Sequence, residues 1–216
     1  MMRIWIAGDS TASIKKAEKR PEYGWGECLS AYLGDEYLVF NHAENGRSTK
    51  SFLDEGRLDV ISQGIKAGDL LLIQFGHNDQ KSEDLNRYAD ARNDYPRNLN
   101  IFIDVARRHG AIPILLTSIS RCDFKDGLLN PLTHQDYPKA MKALAKQENV
   151  MCIDLFEITQ RKLSALGPDQ AKTYFLHLNP GDSIHYPLGI KDNTHLNENG
   201  ARYIASIIAD VIKNRA

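Results

Sequence analysis

The 216-residue sequence is poor in cysteine, has no excess of either charge and has no long apolar run, and each shortage removes a class of function. Its three cysteines, Cys28, Cys122 and Cys152, are widely spaced and odd in number, so neither a disulfide framework nor a CxxC metal or redox site is indicated. None stands beside a glycine-rich turn or an evident base, which argues against a cysteine nucleophile. Lys and Arg number 27 against 28 Asp and Glu, a formal net charge of -1. Phosphate backbones are bound through a marked cationic excess, so no nucleic-acid partner is expected. No apolar run approaches the roughly 20 residues that cross a bilayer as a helix, so no membrane partner is expected either. At the N-terminus Asp9 and Ser10 end the first apolar stretch before a secretory segment of useful length develops, and the expected location is cytoplasmic. HExxH, GxxxxGK[ST] and a convincing dinucleotide fingerprint are missing, the seven histidines are scattered, and neither a metal nor a cofactor is expected. No internal repeat supports a solenoid.

What is present is an ordinary globular balance, 42% hydrophobic and 25% charged, in a length that suits a single domain over residues 1–216. Five short apolar segments, at residues 4–7, 37–41, 69–75, 112–117 and 150–154, have the size of strands. The run Leu70-Leu71-Leu72-Ile73 lacks polar alternation, the pattern of a parallel strand covered on both faces. Apolar residues at helical spacing predict helices over about 25–33, 56–65, 94–109 and 136–147. A further helix-like segment runs to 166, where Gly167-Pro168 breaks it, and a last helix begins near Asn197. Residues 81–93 read as loop. Strands alternating with helices predict a three-layer α/β/α sandwich around a five-stranded, mostly parallel sheet. Functional loops in such folds gather at strand carboxyl ends. Polar clusters at Ser10, Gly46 and Asn78 directly follow three of the predicted strands.

Ser10 lies in Gly8-Asp9-Ser10-Thr11, where a glycine permits a tight turn, the hydroxyl can face a crevice and Asp9 can brace the turn through backbone contacts. Alone, the tetrapeptide is more often a loop or cap. Asp192-Asn193-Thr194-His195 places a carboxylate and an imidazole three positions apart, so one compact turn brings them together. A neutral imidazole can take a serine proton and return it to a leaving group while the carboxylate holds the tautomer. An isolated DxxH is more often a turn cap beside a surface or packing histidine. Attack on an ester also needs donors for the developing oxyanion, and the Gly46 N–H, the Asn78 side-chain amide and the Ser10 N–H are the candidates. A metal held by His77, Asp192 and His195 is a poorer account, because a serine mechanism already employs the Asp-His pair.

Taken in order, Gly8-Asp9-Ser10, Gly46, Gly76-x-Asn78-Asp79 and Asp192-x-x-His195 resemble the four sequence blocks of the SGNH, or GDSL-type, hydrolase superfamily over nearly the whole chain. The resemblance implies a flavodoxin-like α/β/α fold, Ser10 as nucleophile, His195 as base supported by Asp192, and an oxyanion hole formed by Ser10, Gly46 and Asn78. Tyr23-Gly24-Trp25-Gly26, the segment from Asn45 to Phe52, Gln74-Phe75-Gly76-His77-Asn78-Asp79 and the extension to Leu196 are most similar to the rhamnogalacturonan acetylesterase branch. Thr11 replaces the leucine of the GDSL name, as occurs in that branch.

The resemblance implies an acetylated oligosaccharide as substrate, attacked through an acetyl-serine, and nothing in the sequence identifies a protein partner. Trp25, Arg47, His77 and Tyr186 are the candidate substrate contacts. Tyr23 and Phe52 are further apolar walls, with core packing an equal alternative. Uronate groups would be received by Arg47, Lys50, Arg87, Arg92 or Arg97 if their loops converge. Residues 179–192 are expected to form one rim of the cleft. The rival readings are a xylan-type carbohydrate acetylesterase, a lipid or acyl-thioester hydrolase using the same centre, and a carbohydrate-binding protein without turnover.

Overall fold

Leu70, Leu71, Leu72 and Ile73 are each 0% exposed, so both faces of this strand lie under other layers, as its unbroken apolar run requires. The computed structural model describes residues 1–215. In chain order these form β1 (Met2–Gly8), β2 (Glu22–Tyr23), α1 (Trp25–Cys28), β3 (Tyr37–Asn41), α2 (Thr49–Asp54), α3 (Arg57–Gly64), β4 (Leu70–Gln74) and α4 (Asp94–Arg108). Then come β5 (Ile112–Leu116), a hairpin of β6 (Phe124–Lys125) and β7 (Leu128–Leu129), α5 (Tyr137–Gln147), β8 (Met151–Ile153), α6 (Leu155–Ala171), β9 (Phe175–Leu178), β10 (Ile190–Asn197) and α7 (Glu198–Lys213).

The five expected strands form one parallel sheet in the order β3-β1-β4-β5-β8. Side chains alternate between its faces. Ile4, Ile6, Leu70, Leu72, Ile114 and Leu116 pack with Trp25, Leu163, Ile204 and Ile208 on the α1, α6 and α7 side. Trp5, Ala7, Leu71, Ile73 and Leu115 pack with Ile61, Leu99, Phe102 and Met141 on the α3, α4 and α5 side. Three layers result, in agreement with the expected α/β/α sandwich. The chain runs from β1 out to β3 and back across to β4, so β1 lies between them and the order reverses there. In such sheets a crevice opens at the carboxyl ends beside this reversal. The loops after β1, β3 and β4 therefore meet at one place.

Several features differ from expectation. The helix expected over 25–33 is α1 followed by a 3-10 turn at Leu29–Tyr32. The α6 axis is interrupted at Gly167 (φ 72) but resumes to Ala171, because Pro168 sits in the first turn of the second piece, where its missing N–H costs nothing. Three elements lie outside the expected set: α2, the hairpin, and a second, antiparallel sheet in the order β2-β10-β9; apart from the four-residue β9 (Phe175-Leu176-His177-Leu178) none carries a run of apolar residues. Among the described residues no helix is long and apolar enough to cross a membrane.

Candidate active site

The turn after β1 is built by Asp9. Its Oδ1 accepts the Thr11 N–H at 2.9 Å and the Thr11 hydroxyl at 2.8 Å, the bracing expected from the sequence. Its Oδ2 meets His77 Nδ1 at 3.0 Å. Burial opposes the charge on Asp9, but His77 and the two Thr11 donors outweigh it and hold the carboxyl below its ordinary range. The strand–turn junction then projects Ser10 Oγ toward β10. Gly26 lets the backbone behind this turn close in: its N–H donates to the Ala12 carbonyl at 3.2 Å, and a Cβ there would meet that oxygen at 2.5 Å. This explains the second glycine of Tyr23-Gly24-Trp25-Gly26 by close approach rather than by ligand contact.

Asp192 and His195 do not lie in a free turn, as expected, but on β10, whose pairing with β9 slips between Asp192 and Leu196. Asp192 Oδ1 accepts the N–H groups of Thr194 at 2.8 Å and His195 at 3.0 Å, which curls the strand and brings the two side chains together. Asp192 Oδ2 is 2.7 Å from His195 Nδ1, and His195 Nε2 is 3.0 Å from Ser10 Oγ across 185 positions of sequence. Burial alone would raise the Asp192 carboxyl. The hydrogen bond and charge of His195, with the two backbone donors, instead bring it down to about 2. Asp192 is therefore ionised at any working pH, the state that keeps the proton on Nδ1 and leaves Nε2 free to accept from serine.

Gly46 follows β3 with φ 77, a left-handed conformation that suits glycine. Among the described residues neither the Gly46 N–H nor the Ser10 N–H donates to a protein acceptor. The Asn78 amide gives one hydrogen to the Arg47 carbonyl at 3.0 Å, and its second hydrogen meets no acceptor among the described residues. Asp79 ties these loops together. Its Oδ1 accepts the Thr49 N–H at 2.9 Å and the Thr49 hydroxyl at 2.5 Å, joining the turn after β4 to the start of α2.

Burial pushes Asp79 up to about 7, against the Thr49 donors, and among the described residues its Oδ2 has no partner. The folded protein thus binds a proton that the unfolded chain, at the ordinary 3.8, has released. Stability contributed by this group is complete below about pH 4 and is lost as the pH rises through about 7. We expect the melting temperature of Asp79→Asn, compared with wild type over pH 4 to 8, to gain on it as the pH rises. A constant difference would show that Asp79 does not ionise in this range.

The candidate substrate contacts divide. Trp25 is 0% exposed, packed in the core, and donates Nε1–H to Gln74 Oε1 at 2.9 Å, so it forms no wall of the cleft. Phe52 is likewise core, stacked edge-on to Phe75. His77 is 2% exposed beneath the nucleophile turn, edge-on to His134, and cannot meet a sugar. The aromatic and imidazole rings are buried because the sheet needs large side chains at its carboxyl edge, a requirement indistinguishable in sequence from a binding wall. Arg47 remains at the surface beside Gly46, with Nε on Glu55 at 2.9 Å. Tyr186 is half-buried, and its hydroxyl donates to the Lys19 carbonyl at 3.3 Å, pinning the β9–β10 loop to the segment before β2.

Of the five basic residues, Arg47 and Arg87 converge: with Gly46, Ser51, Glu55 and Asp84 they line a hollow of about 320 Å³. Lys50 donates to the Leu85 carbonyl on the same rim at 2.6 Å. Arg92 instead lines a separate groove of about 480 Å³ between α4 and α5, and Arg97 pairs with Asp94. Sequence reasoning also passes over a cation beside the acid–base pair. Arg121, after β5, donates to the Thr194 hydroxyl between Asp192 and His195. Burial pulls its guanidinium below the ordinary value while Asp9, Asp192 and Asp123 pull it back. Its place just beyond a strand carboxyl end was the available signal.

The profile of the GDSL-like Lipase/Acylhydrolase family matches residues 6–203. The chain is 41% identical to rhamnogalacturonan acetylesterase RhgT of Bacillus subtilis (strain 168), over 98% of this chain and 90% of that protein. It is 36% identical to the probable rhamnogalacturonan acetylesterase YesY of the same organism, over 97% and 92%. Among solved structures, Bacillus subtilis protein YXIM superposes with a TM-score of 0.83 at 25% identity, covering 99% of this chain and 56% of that one.

Proposed function

Because this chain belongs to the GDSL-like Lipase/Acylhydrolase family, we propose that it is a carbohydrate acetylesterase acting on acetylated rhamnogalacturonan oligosaccharides through an acetyl-serine. The chemistry is carried by the hydrogen-bonded series Asp192–His195–Ser10, at 2.7 and 3.0 Å. The substrate class is supported by the 41% identity to RhgT over nearly the full length of both chains.

In this reading His195 Nε2 takes the Ser10 proton as Oγ attacks the acetyl carbonyl. The tetrahedral oxyanion is received by the N–H groups of Ser10 and Gly46 and by the second hydrogen of the Asn78 amide. Donors held in place by the fold need no rearrangement when charge develops beside them. His195 returns the proton to the departing sugar oxygen, and water, activated by the same imidazole, releases acetate. The hollow beside Gly46, with Arg47 and Arg87, would seat the neighbouring sugar. Its arginines already face Glu55 and Asp84, so it suits hydroxyl-rich rings as well as a carboxylate.

Specificity constants for acetylated rhamnogalacturonan oligosaccharides, acetylated xylo-oligosaccharides and short and long model esters test the substrate. A preference of at least about tenfold for the first is expected, and a preference for xylo-oligosaccharides or long acyl chains overturns the assignment. For the oxyanion donors, Asn78→Ala should lower kcat by about 10²- to 10³-fold with KM little changed. A loss confined to KM would move Asn78 from oxyanion stabilisation to substrate binding.

A further inference from the structure

Lys15 lies five residues after Ser10, and its side chain is 0% exposed. A buried ammonium must find acceptors for its three hydrogens, and this one finds three on three separate segments. It donates to the Ser10 carbonyl in the nucleophile turn, to Asn45 Oδ1 at 2.7 Å in the turn that ends at Gly46, and to Glu22 Oε1 at 2.8 Å on β2. Glu22 stands opposite Asn197 in the β2–β10 pairing, and Tyr23 opposite Leu196, so β2 pairs the two residues that directly follow His195. Ser13 reinforces the same knot, its hydroxyl donating to Asn45 Oδ1 at 2.7 Å and reaching the Ser10 carbonyl at 3.3 Å.

From this geometry we propose, building on the esterase reading above, that Lys15 is a positioning residue. It is a buried cation that fixes the nucleophile turn, the oxyanion-donor turn and the strand beside the acid–base pair relative to one another. The three segments come from different parts of the chain, and the main sheet directly holds only the strands that precede two of them. A neutral side chain of similar length would leave the Ser10 carbonyl, Asn45 Oδ1 and the Glu22 carboxylate without their shared donor. Each segment could then settle separately, and a misplacement of about 1 Å between nucleophile and donors costs on the order of 10²-fold in rate. Lys15 touches no reacting atom in this scheme. Its effect is on kcat through Ser10 and Gly46.

The test compares Lys15→Met, Glu22→Gln, Asn45→Ala and, as control, Ser10→Ala, on an acetyl ester and on a small fluorophosphonate that labels the nucleophile without needing the sugar site. Lys15→Met should lower kcat by about 10²-fold with KM within about threefold, and slow phosphonylation to a similar degree, at a temperature well below its melting point. A purely structural lysine would lower the melting temperature and leave kcat and labelling unchanged, which overturns the proposal. Should Lys15→Met fail to fold, Glu22→Gln and Asn45→Ala decide. Asn45→Ala removes one tie and Glu22→Gln takes the charge from another while leaving an acceptor oxygen; each should lower kcat by about tenfold at constant KM, and wild-type kcat in both overturns it. Ser10→Ala separates the two readings. Full activity in that control sinks the esterase assignment itself, whereas an inactive control beside fully active Lys15, Glu22 and Asn45 variants sinks only the role of Lys15.

Discussion

Ser10→Ala is expected to lower kcat for acetyl-ester hydrolysis by about 10⁴- to 10⁶-fold while the protein stays folded. The size follows from what is removed: without Oγ no acyl-enzyme can form, and the donors at Gly46 and Asn78 retain only what they offer to direct attack by water. The fold should survive because Ser10 Oγ is bonded to His195 Nε2 and not to the core. The His195 side chain is 31% exposed, so water can satisfy the nitrogen left behind. Initial-rate acetate release, with circular dichroism for the fold and mass spectrometry for an added acetyl group after acid quench, checks this. A folded variant with wild-type turnover would remove Ser10 from the mechanism.

Asp192→Asn should cost about 10⁴-fold in kcat, the second largest effect, with little change in overall structure. The asparagine carbonyl can still accept from the Thr194 and His195 N–H groups that curl β10, so the strand keeps its shape. Its NH₂ would then face His195 Nδ1. An imidazole that accepts at Nδ1 carries its proton on Nε2, pointing at Ser10, and cannot take the serine proton. Because the native carboxyl is held down to about 2, wild-type activity above pH 4 should show no limb from Asp192 itself. Activity of Asp192→Asn within tenfold of wild type would show that the carboxylate contributes orientation too weak to matter.

The sheet and its layers were legible because they depend on local properties. Runs such as residues 70–73 are short, apolar and without polar alternation, as covered strands are, and the turns after them carry polar clusters instead of continuing the pattern. Ser10, Gly46 and Asn78 could be marked for the same reason: each follows a strand that could be recognised. Trp25 and His77 show where this reasoning stops. Both stand in distinctive motifs next to the reacting groups, yet the motifs are distinctive because the turn must be packed and braced from beneath, by a Trp25–Gln74 hydrogen bond and an Asp9–His77 pair. The bulged strand carrying Asp192 and His195 looks like a turn in sequence because Lys191-Asp192-Asn193-Thr194 has no apolar alternation. It is a strand by virtue of β2 and β9 on its two sides.

By itself the sequence determined which chemical groups are available, a serine, an imidazole, carboxylates and turn glycines, and that the chain would fold as a parallel sheet between helices. Only the tertiary structure decided which of these groups meet. It carried His195 across 185 positions to Ser10, buried Trp25 and His77, grouped Arg47 with Arg87 while sending Arg92 elsewhere, and enclosed Lys15 among three segments. The physical reason is that an apolar run or a left-handed turn is a preference of neighbouring residues, whereas exposure and hydrogen-bond partnership belong to a side chain only once distant segments have closed around it.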